Sequence, residues 1–472
     1  MSTAPAASLF ADCALLPGGF ARNVRFEIAA DGRFAAVTAE SSPQGAERLR
    51  GPVLPGLCNL HSHAFQRAMA GLAERSAAGA PPAAPAAATD SFWTWRQVMY
   101  RFLAALTPED IEIIATQLYV ELVRHGYTTV AEFHYLHHDA SGQPYAQPAE
   151  LSLRIIQAAR TAGIALTLLP VLYAHSGFGG AAPLAAQRRF LHDPDSYARL
   201  VAELHKRTRG QPLLRLGLAP HSLRAVTLDE LRATVALLDR LDEQAPIHLH
   251  IAEQQAEVTA CLQHTGARPV QWLLEQVEVG PRYCLVHATH LDDAEVDRLA
   301  RSGAVVGLCP TTEANLGDGI FAGVRYLGRG GRLGVGSDSN VCVDPFEELR
   351  VLEYSQRLLH QQRNMLVRGP GSSVGSTLLT AALRGGAQAA GQPTSELAVG
   401  RRADLLVLDG EDASLADLGD DTLLDAAVLG PGRELVRDVL IGGRWVVRDR
   451  HHRHAATSRE RYRAVMRRLR AL

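Results

Sequence analysis

The sequence predicts an α/β fold, with a closed (β/α)8 barrel over residues 53–395 and a small β-sandwich domain built from both chain ends, 1–52 and 396–472. About eight near-continuous apolar runs alternate with helical patterns between residues 53 and 336, which is typical of a parallel sheet buried on both faces. The chain ends instead show short runs joined by glycine turns, the pattern of hairpins. An open doubly wound sheet is the alternative, but no Gly-x-Gly-x-x-Gly motif follows any of the runs.

Length and composition narrow the class of protein. A chain of 472 residues has material for one large core and a smaller module. The net charge of -2 gives no overall field for binding nucleic acid or an anionic membrane. The six cysteines are scattered and form no Cys-x-x-Cys pair, so we expect free thiols in a reducing compartment. No apolar run approaches the roughly 18 to 20 residues that span a bilayer, and we predict a soluble, cytoplasmic protein.

The chain ends supply the predicted small domain. Short strands at 24–28 and 34–37 flank an Asp31-Gly32 turn, which predicts a hairpin. Near the other end, a strand at 404–409 precedes a second hairpin pattern over 435–448, with Gly442-Gly443 as its turn, and a basic helix over 459–470. We expect the strands of both ends to pack together as one β domain.

The barrel pattern begins with the apolar run that ends at His61 and His63. A helical pattern over 64–73 follows, and residues 77–88 are rich in Ala, Pro and Gly. The stretch up to residue 107 therefore forms one long loop, and such loops are usually functional lids or disordered. Beyond it the pattern alternates, with helices predicted at 108–125, 149–162 and 195–207 and strands at 129–133, 164–172, 213–219, 246–251, 283–287, 304–308 and 332–336.

Polar residues gather at the ends of these strands, where a barrel carries its chemistry. His61 and His63 lie two residues apart, so in a strand their imidazoles share a face and suit a divalent metal such as zinc. A lone strand-end histidine is more often structural. Here, however, four strand ends carry such residues, and buried His and Asp need partners that a metal supplies. The remaining candidates are His248, His250 and Glu253 after the fifth strand, His287 after the sixth and Asp338 after the eighth.

This arrangement resembles the amidohydrolase superfamily in its deaminase branch, which also has a split β domain. Within that branch, residues 61–68 and 219–224 are similar to the formimidoylglutamate deiminase family of histidine degradation. The resemblance implies hydrolysis of N-formimino-L-glutamate, a small dicarboxylate, to N-formyl-L-glutamate and ammonia by a metal-activated water. It also implies one metal ion, zinc or alternatively iron(II), and we expect a homodimer.

The resemblance assigns roles to residues. Its His-x-x-Glu spacing selects His250 over the deeper His248 as a ligand, so the metal ligands are His61, His63, His250 and Asp338. The catalytic residues are then Glu253, His287 and Asp338. A substrate with two carboxylates needs fixed donors, and arginine binds carboxylate bidentately. The predicted substrate-binding residues are Gln66, Arg96, Tyr135, His221 and Arg224.

The lysine content bears on the number of metal ions. Binuclear relatives bridge two metals through a carbamylated lysine at a strand end, whereas the only lysine here, Lys206, lies in a polar helical stretch. The site should therefore be mononuclear. Two other functions stay open: a deaminase of an amino-heterocycle such as guanine, adenosine or a pterin, against which Arg96 and Arg224 argue, and a non-catalytic metal-binding barrel, which would be expected to have lost one of the catalytic residues.

Overall fold

The computed structural model describes residues 8–74, 92–392 and 395–471. Both chain ends contribute to a nine-stranded sheet with the order β18-β17-β16-β15-β5-β1-β2-β3, in which β4 pairs with β1. Its strands are β1 (Ser8–Leu16), β2 (Gly19–Ile28), β3 (Phe34–Thr38), β4 (Glu47–Arg48), β5 (Val53–Pro55), β15 (Leu405–Leu408), β16 (Val436–Ile441), β17 (Arg444–Arg448) and β18 (His451–His452).

The two chain ends are joined by β5, which pairs with β1 on one side and with β15 on the other. Buried side chains from both ends form a hydrophobic core separate from that of the barrel; it includes Leu9, Phe26, Phe34, Leu405 and Leu440. The predicted hairpins at both ends are confirmed. The predicted strands omitted β1, which pairs with β2 along almost its whole length.

The barrel consists of parallel strands in two hydrogen-bonded groups of five and four. Isolated bridges Leu218–Ile247 and Ser62–Asp338 join the groups at both seams and close the barrel. The short strands β9 and β10 together occupy the fourth position. The barrel strands are β6 (Leu57–Ser62), β7 (Tyr127–His134), β8 (Ala165–Leu172), β9 (Leu214–Leu216), β10 (Ala219–Pro220), β11 (Ile247–Ile251), β12 (Tyr283–His287), β13 (Val305–Leu308) and β14 (Arg332–Val335).

Helices follow the barrel strands, and local signals define several of their ends. Thr107 and Asp110 form a capping box with Pro108 at the first turn of α2, whereas α3 ends at Gly163 with φ 74°. The helices are α1 (Phe92–Leu103), α2 (Pro108–Arg124), α3 (Glu150–Ala162), α4 (Pro194–Thr208), α5 (Leu228–Leu241), α6 (Gln255–Thr265), α7 (Pro269–Gln276), α8 (Asp293–Ser302), α9 (Pro310–Leu316), α10 (Gly323–Gly328), α11 (Pro345–His360), α12 (Val374–Ala390), α13 (Asp420–Leu429) and α14 (Ala455–Leu469).

The segment after β6 differs from its prediction. The helical pattern over 64–73 is a shorter 3-10 helix, Ala64–Met69, because the chain must turn away from the strand end within a few residues. The predicted long loop contains α1, whose aromatic residues have modest helix propensity and give a weak helical signal. The Ala- and Pro-rich stretch 77–88 lies outside the described residues. None of the helices in the described ranges has the length and apolar character needed to cross a membrane.

Helix α12 packs against β6 and β14 through a pair of glycines. A Cβ at Gly385 would overlap the carbonyl oxygen of Leu333, and one at Gly386 would lie 2.8 Å from Cβ of Cys58. Glycine is therefore required for this close approach of helix and strands.

We expect Gly385→Ala to destabilise the protein by about 1 to 3 kcal/mol, because the added methyl group forces α12 away from β14. Denaturant unfolding monitored by circular dichroism measures the change. Gly328→Ala is the control, since a Cβ there meets no atom within 4 Å, and we expect it to be neutral or slightly stabilising. Equal stability of both variants would contradict this account of the packing.

Candidate active site

The ends of the first and eighth barrel strands are tied together. The backbone N–H of Asp338 donates to the carbonyl of His61 at 2.9 Å, and that of His63 donates to the carbonyl of Asp338 at 3.0 Å. These two hydrogen bonds bring three of the predicted ligand side chains to the same place on the carboxyl side of the barrel.

Two sets of buried ligand atoms lie there and share His61: His61 with His63 and Asp338, and His61 with His250 and His287, the atoms of each set lying within 4.8 Å of one another. The Nε2 atoms of His61 and His250 lie 3.0 Å apart. Oδ1 of Asp338 lies 3.3 Å from Nε2 of His63 and 3.6 Å from Nε2 of His61. Tetrahedral zinc with bonds of about 2.0–2.2 Å places its ligand atoms roughly 3.3 to 3.6 Å apart. The spacing of His61, His63 and Asp338 therefore fits a divalent metal ion, and His250 lies beside His61 as the fourth candidate ligand.

Hydrogen bonds to backbone carbonyls set the tautomers of two of these histidines. Nδ1–H of His63 donates to the carbonyl of Phe133 at 2.9 Å, and Nδ1–H of His250 donates to that of His221 at 3.2 Å. Each Nε2 then carries a lone pair that faces the site. Burial lowers the pKa of His63 to about 3, so its imidazole is neutral, the form that binds metal.

The carboxylate of Asp338 belongs to the same donor set. Burial raises its pKa to about 7, so the ionised form needs a positive partner. A divalent cation between the carboxylate and the imidazoles supplies that charge. The three nitrogens and one oxygen, all buried, are thus the donor set that zinc or iron(II) accepts.

A polar network beneath the ligands was missed by sequence reasoning. The side-chain amide of Asn340 donates to the carbonyls of His63 and Asp338 at 3.1 and 2.8 Å. Its oxygen accepts from Ser337, whose hydroxyl accepts from Asn59. Each of these residues lies within two positions of a proposed ligand in the sequence. This proximity was the signal from which they could have been predicted.

The two other predicted catalytic side chains lie beside the donor set. Nε2 of His287 is 3.9 Å from Oε1 of Glu253 and 3.8 Å from Oδ2 of Asp338. Burial alone would lower the pKa of this imidazole, but the charges of Glu253 and Asp338 and a hydrogen bond to Glu313 raise the pKa to about 10. The site therefore brings the side chains of Glu253, His287 and Asp338 together beside the donor set.

All five predicted substrate-binding residues line one open cavity, together with Glu253 and the proposed ligands His63, His250 and Asp338. The amide nitrogen of Gln66 donates to the hydroxyl of Tyr135 at 2.8 Å, and the amide oxygen of Gln66 is buried without a hydrogen bond. The ring of His221 lies 4.9 Å from that of His250. Arg96 reaches the cavity from α1, with its guanidinium 5.6 Å from the ring of Tyr100.

Arg224 is held by two acids. Its Nε is 3.6 Å from Oε2 of Glu257, and its Nη2 is 4.0 Å from Oε2 of Glu253. Both distances exceed a hydrogen bond, and the buried Nε has no hydrogen-bond partner. The guanidinium thus keeps donors for a substrate carboxylate. Sequence reasoning missed Glu257, which follows Glu253 by four residues and lies in the first turn of α6.

Both arginines act on the same part of the cavity. The pKa of His221 is lowered by burial and by the positive charges of Arg224 and Arg96. Tyr173, also missed from the sequence, lines this region and accepts a hydrogen bond from Gln187 at 2.8 Å. The cavity therefore has a donor set for metal at one side and two cationic side chains at another.

Family comparisons agree with this combination of barrel and site. Residues 53–446 match the model of the amidohydrolase family, and residues 7–51 match that of the N-terminal domain of formimidoylglutamate deiminase HutF. The chain belongs to the amidohydrolase family.

Comparisons with individual proteins give a more specific similarity than the family models do. The chain is 57% identical to a formimidoylglutamate deiminase of Pseudomonas aeruginosa, covering 94% of this chain and 95% of the relative. An 8-oxoguanine deaminase of the same species is 29% identical over 84% of this chain and 82% of the relative. A crystal structure of an amidohydrolase from Brucella melitensis superimposes with a TM-score of 0.91 and 46% identity, covering 98% and 99% of the two chains.

We expect about one divalent ion per chain, and we expect His250→Asn to lose it, because that change removes one of four ligands. Elemental analysis of purified protein measures both. His248→Asn is the matched control: His248 lies two residues earlier on β11, but its Nε2 donates to the carbonyl of Ala389 at 2.8 Å. Two equivalents of metal in the parent protein, or equal loss in both variants, would contradict the assignment.

Proposed function

We propose that this enzyme hydrolyses N-formimino-L-glutamate to N-formyl-L-glutamate and ammonia. The observation that carries the proposal is the cavity that combines a metal-type donor set with Arg96 and Arg224, since the substrate has a hydrolysable amidine and two carboxylates. The 57% identity to a curated formimidoylglutamate deiminase supports the same conclusion. We also propose that the enzyme works as a cytoplasmic homodimer.

The ligands in this proposal are His61, His63, His250 and Asp338. A divalent metal bound there, zinc or iron(II), would lower the pKa of a water molecule toward about 7 and make hydroxide available at neutral pH. Lys206, which could carry a bridging carbamate in a binuclear site, is exposed on the outer helix α4. This position supports a mononuclear site.

The protein side chains handle the protons. Asp338 and His287 orient the attacking water, and Asp338 accepts its proton as oxygen bonds to the formimino carbon. Glu253 delivers a proton to the substrate nitrogen, the carbon–nitrogen bond breaks, and ammonia leaves. The hydroxyl proton of the intermediate returns to the site as the formyl carbonyl forms, so the net reaction consumes one water.

Substrate carboxylates are recognised at the other end of the cavity. Arg224 presents charged donors beside Glu257, whose negative charge fixes the guanidinium but lies too far away to occupy its donors fully. Arg96 lies on α1 and contributes a second positive charge, while Gln66, Tyr135 and His221 add polar contacts. Two cations suit a dicarboxylate better than a neutral heterocycle, so an aminopurine or pterin substrate is disfavoured.

Ammonia release from purified, metal-loaded enzyme tests the substrate directly. We expect N-formimino-L-glutamate to be turned over at a kcat/KM at least about 100-fold above guanine and 8-oxoguanine, because the neutral bases offer the two arginines no carboxylate to bind. Faster release from a purine would reassign the enzyme to the heterocycle deaminases.

Glu253→Gln should lower kcat by at least about 100-fold, because the amide cannot deliver a proton to the leaving nitrogen. Single-turnover kinetics measure the loss, and metal content and substrate binding should stay close to those of the parent enzyme. A near-normal kcat in the variant would remove Glu253 from the mechanism.

Arg224→Met should cost about 2 to 5 kcal/mol in kcat/KM, because a substrate carboxylate is then buried without its charged partner. The effect should depend on the substrate. N-formimino-L-glutamine replaces the side-chain carboxylate with an amide; if Arg224 binds that carboxylate, the analogue reacts poorly with the parent enzyme and loses little more in the variant.

A second variant separates this contact from a structural effect. Arg224→Met leaves Glu257 buried without its cation, which destabilises the protein by itself. Arg224→Met combined with Glu257→Gln removes both charges and keeps an acceptor for the backbone N–H groups of Ala252 and Glu253, so we expect recovered stability without recovered activity. Equal losses on both substrates, metal loss, or recovery of activity in the double variant would make Arg224 a structural residue.

A further inference from the structure

A buried glutamate contacts the face of His287 that points away from the metal ligands. Glu313 lies in the first turn of α9, is 6% exposed, and places its Oε1 3.2 Å from Nδ1 of His287. The same oxygen accepts a hydrogen bond from the backbone N–H of Cys309 at 2.8 Å. The sequence motifs did not single out this residue.

We propose that Glu313 is a positioning residue for the reaction, which acts through His287 by fixing the tautomer and the orientation of its imidazole. The inference rests on the proposed role of His287. An ionised carboxylate only accepts hydrogen bonds, so Nδ1 of His287 carries the hydrogen and Nε2 is left to face Glu253 and Asp338. This is the arrangement by which the buried aspartate of a serine-protease triad orients its histidine.

Backbone geometry supports a device that holds the ring in place. His287 and Ala288 have φ values of 68° and 48° at the end of β12, a left-handed conformation that is uncommon for residues other than glycine. The imidazole lies where the chain bends sharply out of the strand. Among the described residues, Glu313 is the hydrogen-bond partner of Nδ1 of His287. This hydrogen bond therefore defines the orientation of that ring nitrogen.

Two simpler roles would explain the same carboxylate. It caps the start of α9 through Cys309, and a purely structural glutamate would do no more. The ligand atoms of His287, Cys309 and Glu313 also lie within 4.8 Å of one another, which is compatible with a second metal ion. The positioning role differs from both in its effect on kcat.

Glu313→Gln tests the inference, since an amide can donate as well as accept a hydrogen bond and so no longer forces Nδ1 of His287 to carry the hydrogen. We expect kcat to fall about 10- to 100-fold, the usual effect of losing a residue that orients a ligand or catalytic group, with KM and metal content within about twofold of the parent enzyme. Glu313→Asp keeps a carboxylate on a shorter side chain. Its kcat should lie between that of the parent enzyme and that of Glu313→Gln.

Combining this change with His287→Asn shows whether Glu313 acts through the imidazole. We expect the double variant to be no slower than His287→Asn alone, because the interaction is already lost. Additive losses would overturn the inference. If His287→Asn keeps normal kcat, the role proposed for His287 fails; if only Glu313→Gln keeps normal kcat, the positioning role alone fails.

A neighbouring glutamate provides the structural control. Glu348 is fully buried and accepts hydrogen bonds from the backbone N–H and the hydroxyl of Thr311, in the same turn of α9. Glu348→Gln should leave kcat unchanged even if stability falls. An equal fall of kcat in both variants would reduce Glu313 to a helix cap, and loss of a metal equivalent in Glu313→Gln would make it a ligand instead.

Discussion

The site depends on the hydrogen bonds that join the end of β6 to the residues after β14. These bonds close the barrel between its first and last strands, and the paired residues, His61, His63 and Asp338, are also three of the four proposed ligands. The hydrogen bonds that close the barrel therefore also set the positions of these proposed ligands. The side-chain amide of Asn340 donates to the carbonyls of both His63 and Asp338, which links the two loops.

Several buried glutamates of the barrel have the same structural role. Each accepts a hydrogen bond from a backbone N–H at a sharp turn next to a site residue, and burial in a polar cradle of this kind satisfies the carboxylate. The pairs are Glu132 with Ala64, Glu257 with Ala252 and Glu253, and Glu313 with Cys309. Two of these glutamates also face a functional side chain, which links the local turn to the chemistry.

Sequence patterns predicted the elements whose signal is local and periodic. Apolar runs fixed the barrel strands to within a few residues, and strand-end positions identified the ligand types, because a barrel presents those ends on one face. Glu257 and Glu313 were not predicted, since their partners Arg224 and His287 lie 33 and 26 residues away in sequence and meet them only after the barrel closes. Helix α1 was missed for a different reason: its aromatic residues have modest helix propensity and give a weak helical signal.

The backbone around the site explains why so much support is needed. Positive φ values occur at Ala252, His287, Ala288, Asp338 and Asn340, all at the ends of the fifth, sixth and eighth strands. Each such non-glycine conformation costs on the order of 1 to 3 kcal/mol and persists only where the surroundings impose it. Hydrogen bonds from the surroundings support these turns: Glu257 accepts from the backbone N–H of Ala252, and the side chain of Asn340 donates to the carbonyl of Asp338. A metal ion that binds the converged ligands would stabilise the same strained ends, since binding to the folded state alone adds to its stability.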